Sequence, residues 1–79
     1  MKINYDRVAD AIYLHVSNGK IKKTVEINDS ITVDVGEKDK VIGIEILDFS
    51  YQQDKKQNIN ELTKNGIPLH ITEAIPAVA

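Results

Sequence analysis

The sequence predicts one α+β domain, in which an antiparallel five-stranded β-meander packs one face against a short C-terminal helix. Three observations support this prediction. Apolar and polar residues alternate with period two through most of residues 1–50, turn-forming residues separate the alternating runs, and a short amphipathic segment with helix-end signals follows. We therefore assign residues 1–50 to the sheet and residues 51–79 to the helix and a tail, within a single domain.

The densest run of β-branched residues predicts a hairpin at the centre of the sheet. Two aliphatic triplets in this run share one face. They pair as Ile31–Ile46, Val33–Ile44 and Val35–Ile42. The charged residues 37–40 are left for the turn. Because a slip of one residue would point one triplet away from the core, the register should be strongly held.

Three further strands precede this hairpin, at Lys2–Tyr5, Ala11–Val16 and Ile21–Ile27. The dipeptide Asn18-Gly19 favours a two-residue hairpin turn, because such turns need positive φ angles at both central residues. That turn would pair the second strand with the third and place Ile12 opposite Val25. It would also bring Lys23 against the apolar face, a position that a lysine tolerates at a sheet edge or with its amino group extended past the core.

One helix is expected at Ile59–Lys64, whose apolar residues, including Leu62, lie on one side and would pack on the isoleucine face of the sheet. Asn58 can cap the first turn with its side-chain oxygen. Gly66 suits the left-handed position after the last turn, and Pro68 then prevents the helix from continuing.

The segments on either side of this helix are less regular. Ser50–Gln57 is polar and is expected to form a loop or the irregular first turns of the helix. Leu69–Glu73 alternates, which predicts a sixth strand at an edge of the sheet. Ile75–Ala79 is an apolar tail.

The composition excludes several classes of function. A net charge of −2 argues against nucleic acid as a partner, because domains that bind it usually present a basic surface. No stretch approaches the roughly 20 apolar residues of a membrane span, and no signal peptide is recognisable, so we expect no membrane partner and a cytoplasmic protein. With no cysteine, neither a disulfide nor a thiolate metal site can supplement the thin core of a 79-residue chain.

No motif of a catalytic or cofactor-binding site is present. The four glycines occur singly, so neither a dinucleotide-binding loop nor a phosphate-binding loop can form. The two histidines, His15 and His70, lack the spacing of metal ligands. We therefore assign no catalytic residue, no metal and no cofactor, and we expect a protein that is not an enzyme.

The candidate binding residues lie on the outer face of the sheet, the face away from the isoleucines. In the predicted register Thr32 shares this face with carboxylates, and Ala11 and Val41 add apolar groups. The candidate site consists of Tyr13, Asp34, Glu45, Leu47 and Phe49. Three interpretations remain open: a solvated polar face, a carboxylate site for a small ligand, a cation or acid–base chemistry, and a surface for contact with another chain.

Three segments resemble a known family: YDRVADAIYL (residues 5–14), ITVD (31–34) and VIGIEILD (41–48). The family is catalogued as domain of unknown function 2283, and the resemblance covers about residues 1–50. It implies a compact microbial protein without an established activity, and some members are suspected antitoxins. The recurring residues fit structural roles, with Asp6 and Asp10 as turn formers and Gly43 as a site of close approach or of a bulge.

We expect an interaction module rather than a ligand-binding protein or an enzyme, because a meander of this size has little room for a pocket. The thin core and the half-apolar outer face favour a homodimer that buries at least about 1,000 Å² in total. The resemblance adds a cognate toxin as a further protein partner.

Overall fold

The computed structural model describes residues 1–51 and 55–76, with the side chains of residues 55 and 56 left out. Within these ranges the strands are β1 (Lys2–Asp6), β2 (Ala11–His15), β3 (Lys23–Glu26), β4 (Ile31–Val35) and β5 (Val41–Ile46). The α-helices are α1 (Lys55–Lys64) and α2 (Leu69–Thr72), and single 3₁₀ turns occupy Glu37–Asp39 and Phe49–Tyr51. Parts of the predicted loop and tail, residues 52–54 and 77–79, lie outside the described residues.

The α+β prediction is confirmed. All five strands form one antiparallel sheet in the order β1-β2-β5-β4-β3, and the C-terminal helices cover one face of it. Strands β3, β4 and β5 follow one another as a meander, whereas β1 and β2 form a hairpin that joins the meander at β5. This order places β1 and β3 at the two edges of the sheet.

The predicted pairing of the second strand with the third is wrong. β2 pairs with β5, so Ile12 lies opposite Ile46 and not opposite Val25. The physical reason is that β5 gives β2 two isoleucine partners, whereas pairing with β3 would have placed Lys23 opposite Leu14 in the middle of the sheet and not at its edge. The segment around Gly19 therefore crosses the end of β5 instead of closing a tight hairpin. The Val16 and Ser17 amides donate to the Ile42 carbonyl at 2.8 and 3.2 Å.

The predicted register of the central hairpin is confirmed at four pairs and wrong at one. The confirmed pairs are Ile31–Ile46, Thr32–Glu45, Val33–Ile44 and Asp34–Gly43. Val35 pairs with Val41 and not with Ile42, because an irregularity in the ladder follows Asp34. Ile42 is buried outside the main core cluster, where its Cδ1 atom packs against Gly36 and Gly19. A Cβ atom added to Gly36 would lie 3.0 Å from this Cδ1 atom, and one added to Gly19 would lie 3.2 Å from it. The bulge thus gives Ile42 a site beneath two loops.

The helix is longer than predicted and ends as predicted. It begins at Lys55, so Asn58 lies inside α1 and is buried rather than serving as its N-cap. Gly66 adopts a φ of +86°, its amide donates to Thr63 at 3.0 Å, and the Ile67 amide reaches back to Leu62 at 3.1 Å. These two bonds form a Schellman motif, in which a glycine takes the left-handed position.

The predicted sixth strand is wrong, because Leu69–Thr72 forms α2. Ile71 in α2 and Ile75 in the turns that follow it are both buried in the core. A strand would have aligned Ile71 with Leu69, which is exposed.

One apolar cluster between the sheet and the helices holds the domain together. Its buried members are Ile12, Leu14, Ile31, Val33, Val35, Ile44, Ile46, Leu62, Ile67, Ile71 and Ile75. Leu62 and Ile44 are fully buried, which confirms that α1 packs on the isoleucine face. None of the helices in the described part of the chain is long and apolar enough to span a membrane.

Candidate functional site

A polar network crosses the outer face of the sheet. Asp34 of β4 accepts a hydrogen bond from the Tyr13 hydroxyl at 2.8 Å and one from the Thr24 hydroxyl at 2.7 Å. Because Tyr13 lies on β2 and Thr24 on β3, the three side chains span four neighbouring strands, including β5 between them. The network therefore ties the β2 hairpin to the meander on the side away from the core.

Gly43 of β5 gives Tyr13 the space to reach Asp34. A Cβ atom on residue 43 would overlap the hydroxyl end of the Tyr13 ring. Gly43 lies opposite both His15 and Asp34 in the ladders, so the ring crosses β5 diagonally. An aromatic side chain that covers a glycine on the next strand is a known stabilising arrangement in sheets. The close approach predicted at Gly43 is thus confirmed.

The surroundings of Tyr13 favour its neutral form. Burial, the hydrogen bond to Asp34 and the charges of Asp34 and Glu45 together raise the pKa of Tyr13 to about 12. The phenol therefore acts as a hydrogen-bond donor at neutral pH and not as a base.

Three of the five candidate residues come together and two do not. Tyr13, Asp34 and Glu45 are neighbours on the outer face, because Glu45 lies opposite Tyr13 in the β2–β5 ladder. Leu47 follows the end of β5, and Phe49 packs against the core cluster.

The outer face is more polar than predicted. Val41, placed there by the sequence analysis, also packs against the core cluster, because the bulge turns it inward. Ala11 is buried. The side chains that remain exposed or half-buried on the outer face of the strands are largely polar. This face therefore lacks the apolar patch that the dimer prediction required.

The chemistry open to this face is limited by the bonds it already makes. Both carboxylate oxygens of Asp34 accept hydrogen bonds, one from Tyr13 and one from Thr24. In the part of the chain that the structure describes, no three His, Cys, Asp or Glu side chains converge as a metal site. A cleft of about 270 Å³ does exist, but Val25, Val33 and Ile67 line it on the helix side of the sheet.

A second polar cluster centres on Asp10, in the turn between β1 and β2. Its carboxylate accepts hydrogen bonds from the Tyr5 hydroxyl and from the Ser50 hydroxyl, both at 2.7 Å. Its backbone carbonyl accepts the Phe49 amide at 2.9 Å. The bonds from Ser50 and Tyr5 hold the pKa of Asp10 below its usual value. The cluster fastens the β1–β2 hairpin to the segment that follows β5.

Asp10 and Asp6 are turn formers, as the sequence predicts. Asp10 has a φ of +51°, a left-handed value that aspartate tolerates better than most residues. Asp6 accepts the Val8 and Ala9 amides at 2.9 and 3.1 Å, which closes the turn from the other side. The link from Asp10 to Ser50 was missed, because residues 40 positions apart give no local signal.

Strand β1 is the most exposed apolar element of the sheet. Within the described residues it pairs with β2 on one side only, and all five of its residues are exposed. Ile3 and Tyr5 lie opposite Leu14 and Ile12, so they point to the core side, yet each is 47 % exposed. Phe49 contacts the Tyr5 ring at a centroid distance of 6.0 Å. The helices therefore leave an apolar strip uncovered along this edge.

The opposite edge, β3, is protected against further pairing. It has four residues, and Lys23 points to the core side because it lies opposite Val35. Lys23 and the neighbouring Lys22 form ion pairs with Asp39 at 3.7 Å and Glu37 at 3.4 Å. Inward-pointing charges and short length are the usual means by which an edge strand avoids a partner. On the core side, β1 carries no such charge.

A family of known proteins matches the sheet of this chain and not its helices. The profile of the family described as Protein of unknown function (DUF2283) matches residues 2–50, which contain all five strands. A curated relative from Methanosarcina mazei, named Putative hypoxanthine phosphoribosyltransferase, is 41 % identical over 49 residues. That match covers 62 % of this chain and 39 % of the relative, so the chain spans about two-fifths of the relative's length. No solved structure matches the chain.

Proposed function

We propose that this chain, which belongs to the DUF2283 family of proteins of unknown function, is a protein–protein interaction module whose contact surface is the edge strand β1. The observation that carries the proposal is the exposure of Ile3 and Tyr5 on an unprotected edge. An edge strand offers unpaired backbone donors and acceptors, to which another chain can add a strand. The compartment proposed for this contact is the cytoplasm, as the sequence predicts.

The difference in charge between the two edge strands supports a role in binding for β1. Selection against aggregation normally places charges on exposed strands, and β3 follows that rule through Lys23. β1 instead presents an aliphatic and an aromatic side chain to the core side. Exposed aromatic residues are enriched at protein interfaces, whereas an edge kept free of partners would carry lysine there.

We propose self-association as the main form of this contact. The core of so short a chain is thin, and burying Ile3 and Tyr5 in a dimer would extend it. This moves the predicted homodimer from the outer face to β1. Contact through one five-residue strand is at the low end of interface sizes, so the expected affinity is weak.

The experiment is a comparison of two matched variants. Ile3 and Ile21 are both 47 % exposed, but Ile3 lies on β1 and Ile21 lies in the connection before β3. Sedimentation equilibrium over a wide concentration range should show the mass of wild type rising from 8.8 kDa toward twice that value. Ile3→Lys should weaken dimerisation by about tenfold or more, because it places a charge on the core side of the edge, and Ile21→Lys should not. A constant mass of 8.8 kDa, or equal effects of the two substitutions, would refute self-association through β1.

An antitoxin-like role would use the same surface with a different occupant. A partner protein that adds a strand to β1 would cover Ile3 and Tyr5 as a second copy would. In that case wild type remains monomeric alone, and a purified partner binds wild type and Ile21→Lys but not Ile3→Lys.

A further inference from the structure

The sequence of β1 is complementary to itself when two copies are placed antiparallel. We propose that two chains pair through β1 about a twofold axis at Asn4, which joins their sheets into one continuous sheet. This inference rests on the proposed function, since it names the occupant and the register of the same edge. In this register Lys2 faces Asp6 of the second copy, Ile3 faces Tyr5, and Asn4 faces its own counterpart.

The apolar pairs of this register lie on one face of β1, and the polar and charged pairs lie on the other. The β1–β2 register places Ile3 and Tyr5 on the core side, because they lie opposite Leu14 and Ile12. Directly opposed residues of an antiparallel pair point to the same side, so the Ile3–Tyr5 contacts between copies would extend the apolar strip. Aromatic residues paired with β-branched residues are among the more favourable cross-strand combinations.

The outer side of the same ladder carries opposite charges at its two ends. Lys2 and Asp6 alternate with Ile3 and Tyr5, so they share the outer side with Asn4. The twofold axis repeats the Lys2–Asp6 pair, once on each side of Asn4. Opposite charges across strands are favourable, and like charges at these positions would be unfavourable.

Other registers satisfy fewer groups. Centring the axis on Ile3 would leave both Tyr5 and Asp6 without a residue of β1 opposite them, and centring it on Tyr5 would do the same to Lys2 and Ile3. A shift of half a residue would place Ile3 opposite Asn4, whose side chains point to opposite faces, so a regular antiparallel ladder could not form. Only the axis at Asn4 pairs all five residues and keeps the apolar strips of both copies on one side.

Disulfide trapping tests this register, because the chain contains no cysteine. Residues directly opposite each other in an antiparallel pair have Cα atoms about 4.5–5.5 Å apart, which a disulfide can span. Asn4→Cys should therefore form a covalent dimer under mild oxidation. Two control positions are exposed strand residues: Lys2→Cys, whose two copies would lie about 14 Å apart in this register, and Glu26→Cys on β3.

The expected result is that Asn4→Cys cross-links at least about tenfold faster than either control, because pairing raises the local thiol concentration. Adding Ile3→Lys should remove this advantage. Equal rates for Asn4→Cys and Lys2→Cys, or faster cross-linking of Glu26→Cys, would overturn the register. Wild type could also dimerise by sedimentation while Asn4→Cys does not cross-link preferentially. That result would support an interaction module and contradict pairing through β1. If wild type is monomeric at all concentrations, self-association fails together with this inference.

Discussion

The hydroxyl group of Tyr13 lies over Gly43, in the space that a side chain on residue 43 would occupy. From there the hydroxyl donates to Asp34 at 2.8 Å, so that one contact joins β2 to β4 across β5. The position of the ring depends on the absence of a Cβ atom at residue 43. This relationship explains why a glycine lies in the middle of the most apolar strand, where it would otherwise weaken the sheet.

Gly43→Ala should therefore lower the free energy of unfolding by about 1–3 kcal/mol, the usual cost of overpacking. The cost should fall when Tyr13 is also changed to Ala, because the added methyl group then has room. Urea denaturation of the four proteins in this cycle measures the coupling.

Gly66→Ala provides the comparison. It is also expected to destabilise, but through its φ of +86°, since nothing lies within 4 Å of the added Cβ atom. Its cost should not depend on Tyr13. A Gly43→Ala cost that is unchanged by Tyr13→Ala would contradict the steric account.

Tyr13 should make unfolding depend on pH in the alkaline range. The folded protein keeps the Tyr13 proton until its pKa of about 12, whereas the unfolded chain releases it near 10.0. Since the folded state then binds more protons, its stability is full below pH 10 and falls as the pH rises toward 12. Tyrosinate absorbance during alkaline titration should show a late component that is smaller in Tyr13→Phe, where Tyr5, whose pKa is also raised by its hydrogen bond to Asp10, remains. A complete titration of wild type near pH 10 would show that Tyr13 is not shielded.

The carboxylate of Asp10 should stabilise the fold at neutral pH and lose this effect in acid. Its pKa is lowered by the Ser50 and Tyr5 hydroxyls, so the stabilisation is present above the usual aspartate pKa and is lost as the pH falls through the folded value. The melting temperature of Asp10→Asn should lie below that of wild type at neutral pH, and the two should converge in acid.

Two further variants separate this network from a general charge effect. Ser50→Ala removes one hydroxyl donor to Asp10 and should reproduce part of the loss. Asp29→Asn, at an exposed turn position between β3 and β4, makes the same chemical change and should not. An Asp10→Asn protein with the pH profile of wild type would contradict the role of Asp10.

The strands and the core could be predicted from the sequence because burial of one face imposes a period of two. Val33 and Ile44 are an example: each is flanked by more polar or smaller residues, so alternation assigns both to the inward face, where they pair. The order of the strands could not be predicted in the same way. The turn signal at Gly19 favoured pairing of β2 with β3, whereas burial of apolar side chains favoured pairing of β2 with two isoleucines of β5. The structure has the long-range pairing with β5.

The candidate site was predicted in part for the same reason. The position of Asp34 and Glu45 on the outer face could be predicted, because both lie in the regular part of the β4–β5 ladder, where alternation assigns every residue to a face. Val41 and Phe49 were misplaced because alternation ends at a bulge and at the end of a strand. The exposure of Ile3 and Tyr5 could not be predicted, since it depends on how far the helices extend over the sheet.

Ile44 should be the position least tolerant of truncation. It is fully buried at the centre of the sheet, between Leu14 on β2 and Val33 on β4. Ile44→Ala should lower the free energy of unfolding by roughly 2–5 kcal/mol. Ile21→Ala removes the same atoms from a half-exposed position and should change it by no more than about 0.5 kcal/mol. Similar losses for both variants in urea denaturation would contradict the assignment of the core.

Amide hydrogen exchange at low and high protein concentration tests the role of β1 most directly. In a monomer, the β1 amides that point away from β2 have no strand partner and exchange quickly. If β1 is the contact surface, exchange of amides in Lys2–Asp6 should slow as the concentration rises, while exchange in Lys23–Glu26 on the opposite edge should not change. Exchange in β1 that is independent of concentration although the mass increases, or protection that appears in β3 instead, would contradict the account.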